Sequence, residues 1–335
     1  MIKKVLVTGG AGYIGSHTVV SLVEAGYEPI IVDNYSNSSP TVIEALQQIT
    51  NTKLKVYDSD VTDRQAMSDI WQKEAPDAVI HFAAYKAVGE SVQKPLVYYK
   101  NNLEGLIVVL EQMQASGTKH IVFSSSCTVY GEPDSCPVTE QTPQQPATSP
   151  YGATKQMCER ILQDTAHAED VRIMALRYFN PVGAHESAKI GELPNGTPNN
   201  LVPFLTQATA GLRGPLTVFG NDYDTPDGTC VRDFIHVMDL ADAHVKSLLY
   251  LEKSDDKFTA LNVGTGNGNS VMELITAFES ATGQKVPYTI GSRREGDVVK
   301  IWADASHAKQ VLNWQPSRTL QDSMRDAWEW QKTLG

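Results

Sequence analysis

Val7-Thr8-Gly9-Gly10-Ala11-Gly12-Tyr13-Ile14-Gly15-Ser16-His17 is the stretch on which the fold reading turns. A short apolar run, residues 5–7, precedes the glycines, and residues 17–25 after them carry apolar side chains at helical spacing. The glycines satisfy G-x-G-x-x-G through Gly10, Gly12 and Gly15, and G-x-x-G-x-x-G through Gly9, Gly12 and Gly15. Between a buried strand and a helix, one such glycine turns the chain tightly. Another lets backbone approach a pyrophosphate, and a third lets helix and strand pack closely. The helix N-terminus, at Tyr13 and Ile14, then offers free N–H groups and partial positive charge to phosphate. A glycine-rich turn without a ligand is the plain alternative, and the strand-then-helix context argues against it.

Working outward, residues 29–32, 78–82, 120–123 and 260–263 read as further short apolar strands, and 102–115 and 237–251 as helices. Continuously apolar strands alternating with helices imply a parallel sheet covered on both faces. The expected fold is α/β, a doubly wound parallel sheet of the Rossmann type with a smaller α/β substrate domain. The dinucleotide-binding domain is placed at residues 1–180, with 236–265 returning to it, and 181–335 mainly as the substrate domain. Residues 181–200 are rich in Pro, Gly and Asn and read as ordered loop.

Asp33 ends the second strand, roughly 20 residues past the last glycine. A carboxylate there accepts from an adenosine ribose and repels a 2′-phosphate. Residues 34–39, beginning with Asn34, contain no Arg or Lys, which favours NAD over NADP. Asp60 and Val61 are placed beside the adenine. Tyr151-Gly-Ala-Thr-Lys155 is Y-x-x-x-K, behind Ser149 as helix N-cap and Pro150 as first helical residue. Tyr151 and Lys155 then share a helix face one turn apart. A free phenol titrates near 10; a neighbouring ammonium, or a cationic nicotinamide, favours the phenolate and makes a general base. Ser124-Ser125-Ser126 follows the strand at 120–123, at the edge where doubly wound sheets bind ligands. The Y-x-x-x-K pattern alone says little; its weight comes from the dinucleotide loop and serine run ahead of it.

Composition narrows the classes. With 28 basic and 39 acidic side chains the 335-residue chain carries a formal charge of −11, against a broad nucleic-acid surface. Cys127, Cys136, Cys158 and Cys230 form no C-x-x-C pair and read as free thiols of a reducing cytoplasm. The N-terminal apolar run is short for a signal peptide, and no stretch is long enough for a membrane span. The eight histidines show no metal spacing, so no metal is expected; His81 and His236 read as core residues with satisfied polar atoms. Trp302, Trp314, Trp328 and Trp330 are expected to pack the C-terminal helices.

The order of loop, serines and Y-x-x-x-K resembles the extended short-chain dehydrogenase/reductase superfamily. Further segments narrow the resemblance: Lys86-Ala-Val-Gly-Glu-Ser-Val-Gln-Lys-Pro95, Phe123-Ser-Ser-Ser-Cys-Thr-Val-Tyr-Gly131, Leu176-Arg-Tyr-Phe-Asn-Pro-Val-Gly-Ala184, Val231-Arg-Asp-Phe-Ile-His-Val-Met-Asp-Leu-Ala-Asp242 and Arg293-Arg-Glu-Gly-Asp297. With the glycine loop they resemble the UDP-galactose 4-epimerases across both domains. That resemblance implies epimerisation of UDP-glucose and UDP-galactose at C4 through a 4-keto sugar, with tightly held NAD, in a homodimer paired through the helices at 102–115 and 150–167. It assigns Tyr151 as base, Lys155 as its electrostatic partner and Ser126 as the adjacent hydroxyl. Phe82, Ala83, Ala84, Lys86, Asn101, Ser124 and Tyr178 join the cofactor site. Lys86, Phe179, Asn180, Asn200, Leu201, Phe219, Arg232, Arg294, Asp297 and Ile301 join the substrate site, with Arg232 and Arg294 clamping the diphosphate.

Three other readings are weighed. A 4,6-dehydratase of this frame carries Asp-Glu after the serine, where this chain has Cys127 and Thr128. A non-catalytic NAD sensor tends to lose the tyrosine or lysine, and both are present. A broader epimerase would also take UDP-N-acetylhexosamines. Family tyrosine at position 301 goes with plain hexoses and a small residue with the N-acetyl group; Ile301 lies between, and its packing against Phe179 would leave no extra room.

Overall fold

The computed structural model describes residues 1–294 and 297–334. Chain order begins β1 (Lys4–Thr8), α1 (Tyr13–Glu24), β2 (Glu28–Asp33), α2 (Thr41–Thr50), β3 (Lys55–Asp58), α3 (Arg64–Glu74), β4 (Ala78–His81), α4 (Val88–Gln93), α5 (Pro95–Ser116), β5 (His120–Ser124), a 3-10 turn (Cys127–Tyr130), α6 (Pro150–Ala168) and β6 (Arg172–Tyr178). It continues β7 (Asn180–Val182), α7 (Leu201–Thr209), β8 (Leu216–Phe219), β9 (Val231–Arg232), β10 (Phe234–His236), α8 (Val237–Leu251), β11 (Phe258–Val263), β12 (Asn269–Ser270), α9 (Val271–Thr282), β13 (Tyr288–Gly291), β14 (Lys300–Ile301), α10 (Ser306–Leu312) and α11 (Leu320–Thr333).

Seven strands form one sheet in the order β11-β6-β5-β4-β1-β2-β3, every pairing parallel. Strand side chains alternate between faces. Val5, Val7, Ile31, Ile80, Val122 and Met174 accordingly meet Val19, Leu22, Leu46, Leu240 and Leu248 of α1, α2 and α8 in one apolar cluster. Leu6, Ile30, Val79, Ile121 and Ile173 meet Met67, Trp71, Leu106, Val109 and Leu162 of α3, α5 and α6 in another. Each fully buried aliphatic side chain contributes about 1.5–3 kcal/mol. This is the doubly wound sheet expected from the apolar strand runs. A third cluster, including Val202, Leu205, Phe234, Leu274, Phe278 and Met324, joins α7, α9 and α11 beside the sheet.

Boundaries differ from the sequence reading where backbone chemistry outranks apolar spacing. Helix α1 begins at Tyr13, four residues early, because Gly12 is extended (φ −71°, ψ 173°) and feeds the helix directly. Helix α5 begins at Pro95, whose fixed φ suits the first turn. The loop expected at 181–200 contains part of β7, parallel to β10, and an isolated bridge between Ala184 and Gly191. Strand β11 pairs with β6 at the sheet edge, and α8 packs on α1. No described helix is long and apolar enough to cross a membrane.

Candidate active site

The glycine loop is built to bring backbone close. A Cβ on Gly15 would lie 2.2 Å from the Gly9 carbonyl oxygen and 2.9 Å from Gly10 Cα. One on Gly9, whose φ is +71°, would lie 2.8 Å from the Ala83 nitrogen. Gly12 has no side chain to cap α1, so the helix start stays open. Phe82 and Ala83 are strapped to β1 by N–H bonds to the Thr8 carbonyl (3.0 Å) and hydroxyl (3.4 Å). Asp33, at the end of β2, accepts from Ala11 N–H (2.9 Å), Tyr35 N–H (2.9 Å) and the Ser38 hydroxyl (2.8 Å). Asn34 donates to Asp60 (2.8 Å), which also holds Thr62, and Val61 is buried beneath them. A glycine cradle at a helix N-terminus, with a carboxylate ending the next strand, fits a dinucleotide such as NAD.

The second half of the site stands at the carboxyl ends of β5 and β6. Ser149 accepts from Gly152 N–H at 3.1 Å and Pro150 opens α6, as the sequence implied, so Tyr151 falls on the first turn and Lys155 on the next. The Ser126 hydroxyl accepts from Thr128 N–H at 3.2 Å, capping the 3-10 turn. Ser124 and Tyr178 share a 2.5 Å hydroxyl contact. Lys155 is buried and donates to the Ser124 carbonyl at 2.6 Å, with its ammonium 5.8 Å from the centre of the Tyr151 ring. Burial pulls that ammonium down to about 8 and holds the Tyr151 phenol well above its usual range, while hydrogen bonding by Ser126 opposes the rise. In this arrangement burial, rather than Lys155, is the largest influence on the phenol. A cation brought beside the ring would favour the phenolate.

The remaining assigned residues divide. Phe179 and Ile301 are buried together with Val129, Tyr130, Val138 and Ala303. Asn180 lies in β7 and Arg232 in β9, whose guanidinium donates to the Val231 carbonyl at 2.9 Å. Asn200 and Leu201 begin α7. Arg294 pairs with Asp297 (2.7 Å) and lies over the Phe219 ring at 5.2 Å, on the surface. Glu295 and Gly296 of the Arg293–Asp297 motif lie outside the described residues. Lys86 is ion-paired with Glu192 (3.1 Å), and Asn101 donates to Asn102 (3.0 Å).

Several supporting groups were given no role from sequence, although Arg177 and Asp233 lie within quoted segments. Buried Asn102 accepts from Tyr85 N–H (2.9 Å) and donates to its carbonyl (3.0 Å), fixing the loop that carries Lys86. Glu159 and Arg177 form a buried pair (2.6 Å) that also holds Ser125. Asp233 accepts from Thr265, Gly266 and Ala303 N–H groups. Their signal was charge or amide within apolar spacing. His81 meets the Thr8 hydroxyl (2.8 Å), and His236 caps α8 and faces Asp326 (3.2 Å). Of the four C-terminal tryptophans, Trp328 packs on Phe278 of α9 as expected. Trp314 instead lies in the sheet cluster and donates to the Asp239 carbonyl (3.0 Å), Trp330 donates to the Glu192 carbonyl (3.2 Å), and Trp302 lies beside Gly268. All four cysteines are free, and among the described residues no His, Cys, Asp or Glu cluster could hold a metal ion.

Comparison with known proteins places this geometry. A family model described as GDP-mannose 4,6 dehydratase matches residues 6–327. The chain is 50% identical to a UDP-glucose 4-epimerase of Neisseria meningitidis serogroup B over 98% of this chain and 97% of that one. It is similar to the crystal structure of a UDP-glucose 4-epimerase from Stenotrophomonas maltophila with bound NAD and formylated UDP-arabinopyranose: TM-score 0.97, 49% identity, covering 100% and 99% of the two chains. It is likewise similar to the enzyme from Bifidobacterium longum in complex with NAD+ and UDP, with TM-score 0.96 and 47% identity over 99% and 98%. Likeness of this extent in sequence and fold, with the glycine cradle and the Tyr151–Lys155 helix in place, shows that the chain belongs to the UDP-glucose 4-epimerase family within the extended short-chain dehydrogenases/reductases.

Proposed function

We propose that the chain is an isomerase that interconverts UDP-glucose and UDP-galactose by inverting C4 through a 4-keto sugar. The observation that carries the reading is the placement of Tyr151 and Lys155 on successive turns of α6 against Ser124 and Ser126, at the sheet edge shared with the glycine cradle. Bound NAD supplies a hydride acceptor and, once reduced, a donor. Gly9, Gly12, Tyr13, Ile14, Gly15, Asp33, Asn34, Asp60, Val61, Phe82, Ala83, Ala84, Lys86, Asn101, Ser124, Tyr151, Lys155 and Tyr178 hold it.

Tyr151 takes the proton of the 4-hydroxyl and returns it after the ring has turned. Ser126 hydrogen-bonds the same oxygen. Lys155 keeps positive charge near the phenol. Asn180, Asn200 and Leu201 contact the UDP part, Arg232 and Arg294 clamp the diphosphate, Phe179 and Ile301 wall the sugar, and Phe219 and Asp297 complete the substrate site.

Residues 1–180 and 236–265 make the cofactor unit, and the rest of 181–335 mainly the substrate unit. The chain is assigned to the cytoplasm, which its free thiols support. It pairs as a homodimer through the α5 and α6 faces; exposed Leu96 and Met157 there support this, and light scattering showing a monomer at micromolar concentration would remove it. Dehydration is disfavoured because position 127 is a thiol pushed up to about 11 by burial, and no acid stands there. Activity on UDP-N-acetylhexosamines is the second reading, favoured only by the absence of a tyrosine at 301.

The test is to denature the purified protein and assay released dinucleotide, alongside conversion of UDP-galactose to UDP-glucose with none added. Close to one NAD per chain and full turnover are expected. No bound NAD, or no conversion in its presence, overturns the proposal.

A further inference from the structure

Glu192 lies in the loop read at 181–200 and has no role assigned there, yet it joins two of the proposed ligand-holding residues. Its Oε1 accepts from Lys86 Nζ at 3.1 Å and from Asn200 Nδ2 at 2.6 Å. Lys86 comes from the loop after β4, on the cofactor side, and Asn200 is the N-cap of α7, on the substrate side. The Glu192 side chain is 11% exposed, against 44% for Lys86. Its backbone is held from both sides. The carbonyl accepts from Trp330 Nε1 at 3.2 Å, and a Cβ on the preceding Gly191 would lie 2.4 Å from the Trp330 ring. Gly191 also bridges to Ala184. The carboxylate is therefore delivered to one place by packing rather than left to find it.

The consequence falls on α7. Asparagine at an N-cap ordinarily turns its side-chain oxygen onto the N–H groups of the first turn. Here Asn200 makes no side-chain cap bond, because its amide is drawn to Glu192. Position 203 is proline and has no N–H. The N–H groups of Leu201 and Val202 have no acceptor among the described residues, and they face the start of a helix whose dipole favours an anion.

We infer that Glu192 is a positioning residue for the substrate: by holding Asn200 away from α7 and fixing it relative to Lys86, it keeps the helix start open for the diphosphate of the UDP-sugar. The inference rests on the epimerase reading above. A carboxylate beside a diphosphate is electrostatically unfavourable, so the useful property is its acceptor oxygen. Glutamine preserves that oxygen and alanine removes it.

The experiment compares wild type, Glu192→Gln and Glu192→Ala, each purified with its NAD. UDP binding is measured by titration calorimetry, and kcat and KM with UDP-galactose. Glu192→Gln should bind UDP within about twofold of wild type. In Glu192→Ala, Asn200 is released to cap α7 in competition with the ligand. UDP should then bind about fivefold more weakly than in Glu192→Gln, a cap being worth about 1 kcal/mol, with KM rising in parallel and kcat within about twofold. If Glu192→Ala lowers the melting temperature, Glu192→Ser takes its place and must give the same order. Equal UDP affinity in the glutamine and alanine variants, or an equal loss in both, overturns the inference. A wild-type protein that neither binds UDP nor converts UDP-galactose overturns the epimerase reading instead.

Discussion

Replacing Tyr151 by phenylalanine removes one oxygen from a ring that is 8% exposed and leaves its packing volume almost unchanged. The hydroxyl's structural worth is small. A hydrogen bond made by a buried phenol contributes only about 1 kcal/mol, partly offset by the cost of burying it. A net change of that size moves the melting temperature by no more than about 4 °C in a chain this long. The catalytic loss is of another order. A positioned general base contributes about 10²–10⁴ in rate, equivalent to roughly 2.7–5.5 kcal/mol of barrier. Tyr151→Phe should therefore keep its NAD, its UDP affinity and its fold, while kcat for UDP-galactose falls at least a hundredfold. The assay is initial-rate formation of UDP-glucose, paired with thermal melting and UDP titration. Activity within tenfold of wild type, in a variant that still melts normally, would refute the assignment of the base.

Other outcomes follow from the same geometry. Gly15→Ala must push the Gly9 carbonyl, 2.2 Å away, and should cut NAD content and melting temperature together, whereas Gly89→Ala, with nothing within 4 Å, should leave NAD content unchanged; dinucleotide released on denaturation separates them. Burial lowers His17 and His81 to about 3 and His244 to about 4, from an ordinary 6.5. The unfolded chain then binds more protons than the folded one below pH 6.5, so their contribution is lost as pH falls from 6.5 toward 4. Each proton makes a slope on the order of 1.4 kcal/mol per pH unit, and melting temperature against pH over that window should fall steadily on the acid side. A flat profile would count against neutral buried histidines. Ile301→Tyr should raise the preference for UDP-galactose over UDP-N-acetylgalactosamine by about tenfold or more in kcat/KM; an unchanged ratio removes position 301 as a gate.

The sheet was readable because its strands are buried on both faces, so residues such as Val5–Val7 and Ile30–Val32 carry an unbroken apolar signal. The glycine loop was readable because only glycine tolerates the approach of Gly9 to Ala83 and of Gly15 to Gly9. The helix start at Ser149-Pro150 was readable from capping chemistry alone. Less local features stayed hidden. The Lys155 ammonium turns to Ser124, a contact spanning two elements that helix spacing does not encode. Glu192 meets Lys86 across more than 100 residues of chain, and Glu159 meets Arg177 between a helix and a strand. Spacing brings Arg294 and Asp297 close but does not say that they pair with each other on the surface. Strand β7 has only three residues, too few for periodicity to register.

The central claim is that C4 is inverted by removal and return of the same hydrogen inside one closed site. It is tested most directly with UDP-galactose carrying deuterium at C4, incubated with the purified protein in ordinary water with free NAD present. The UDP-glucose formed should retain the deuterium at C4, with none passed to solvent or to the free dinucleotide. Product that carries protium at C4 would contradict the account.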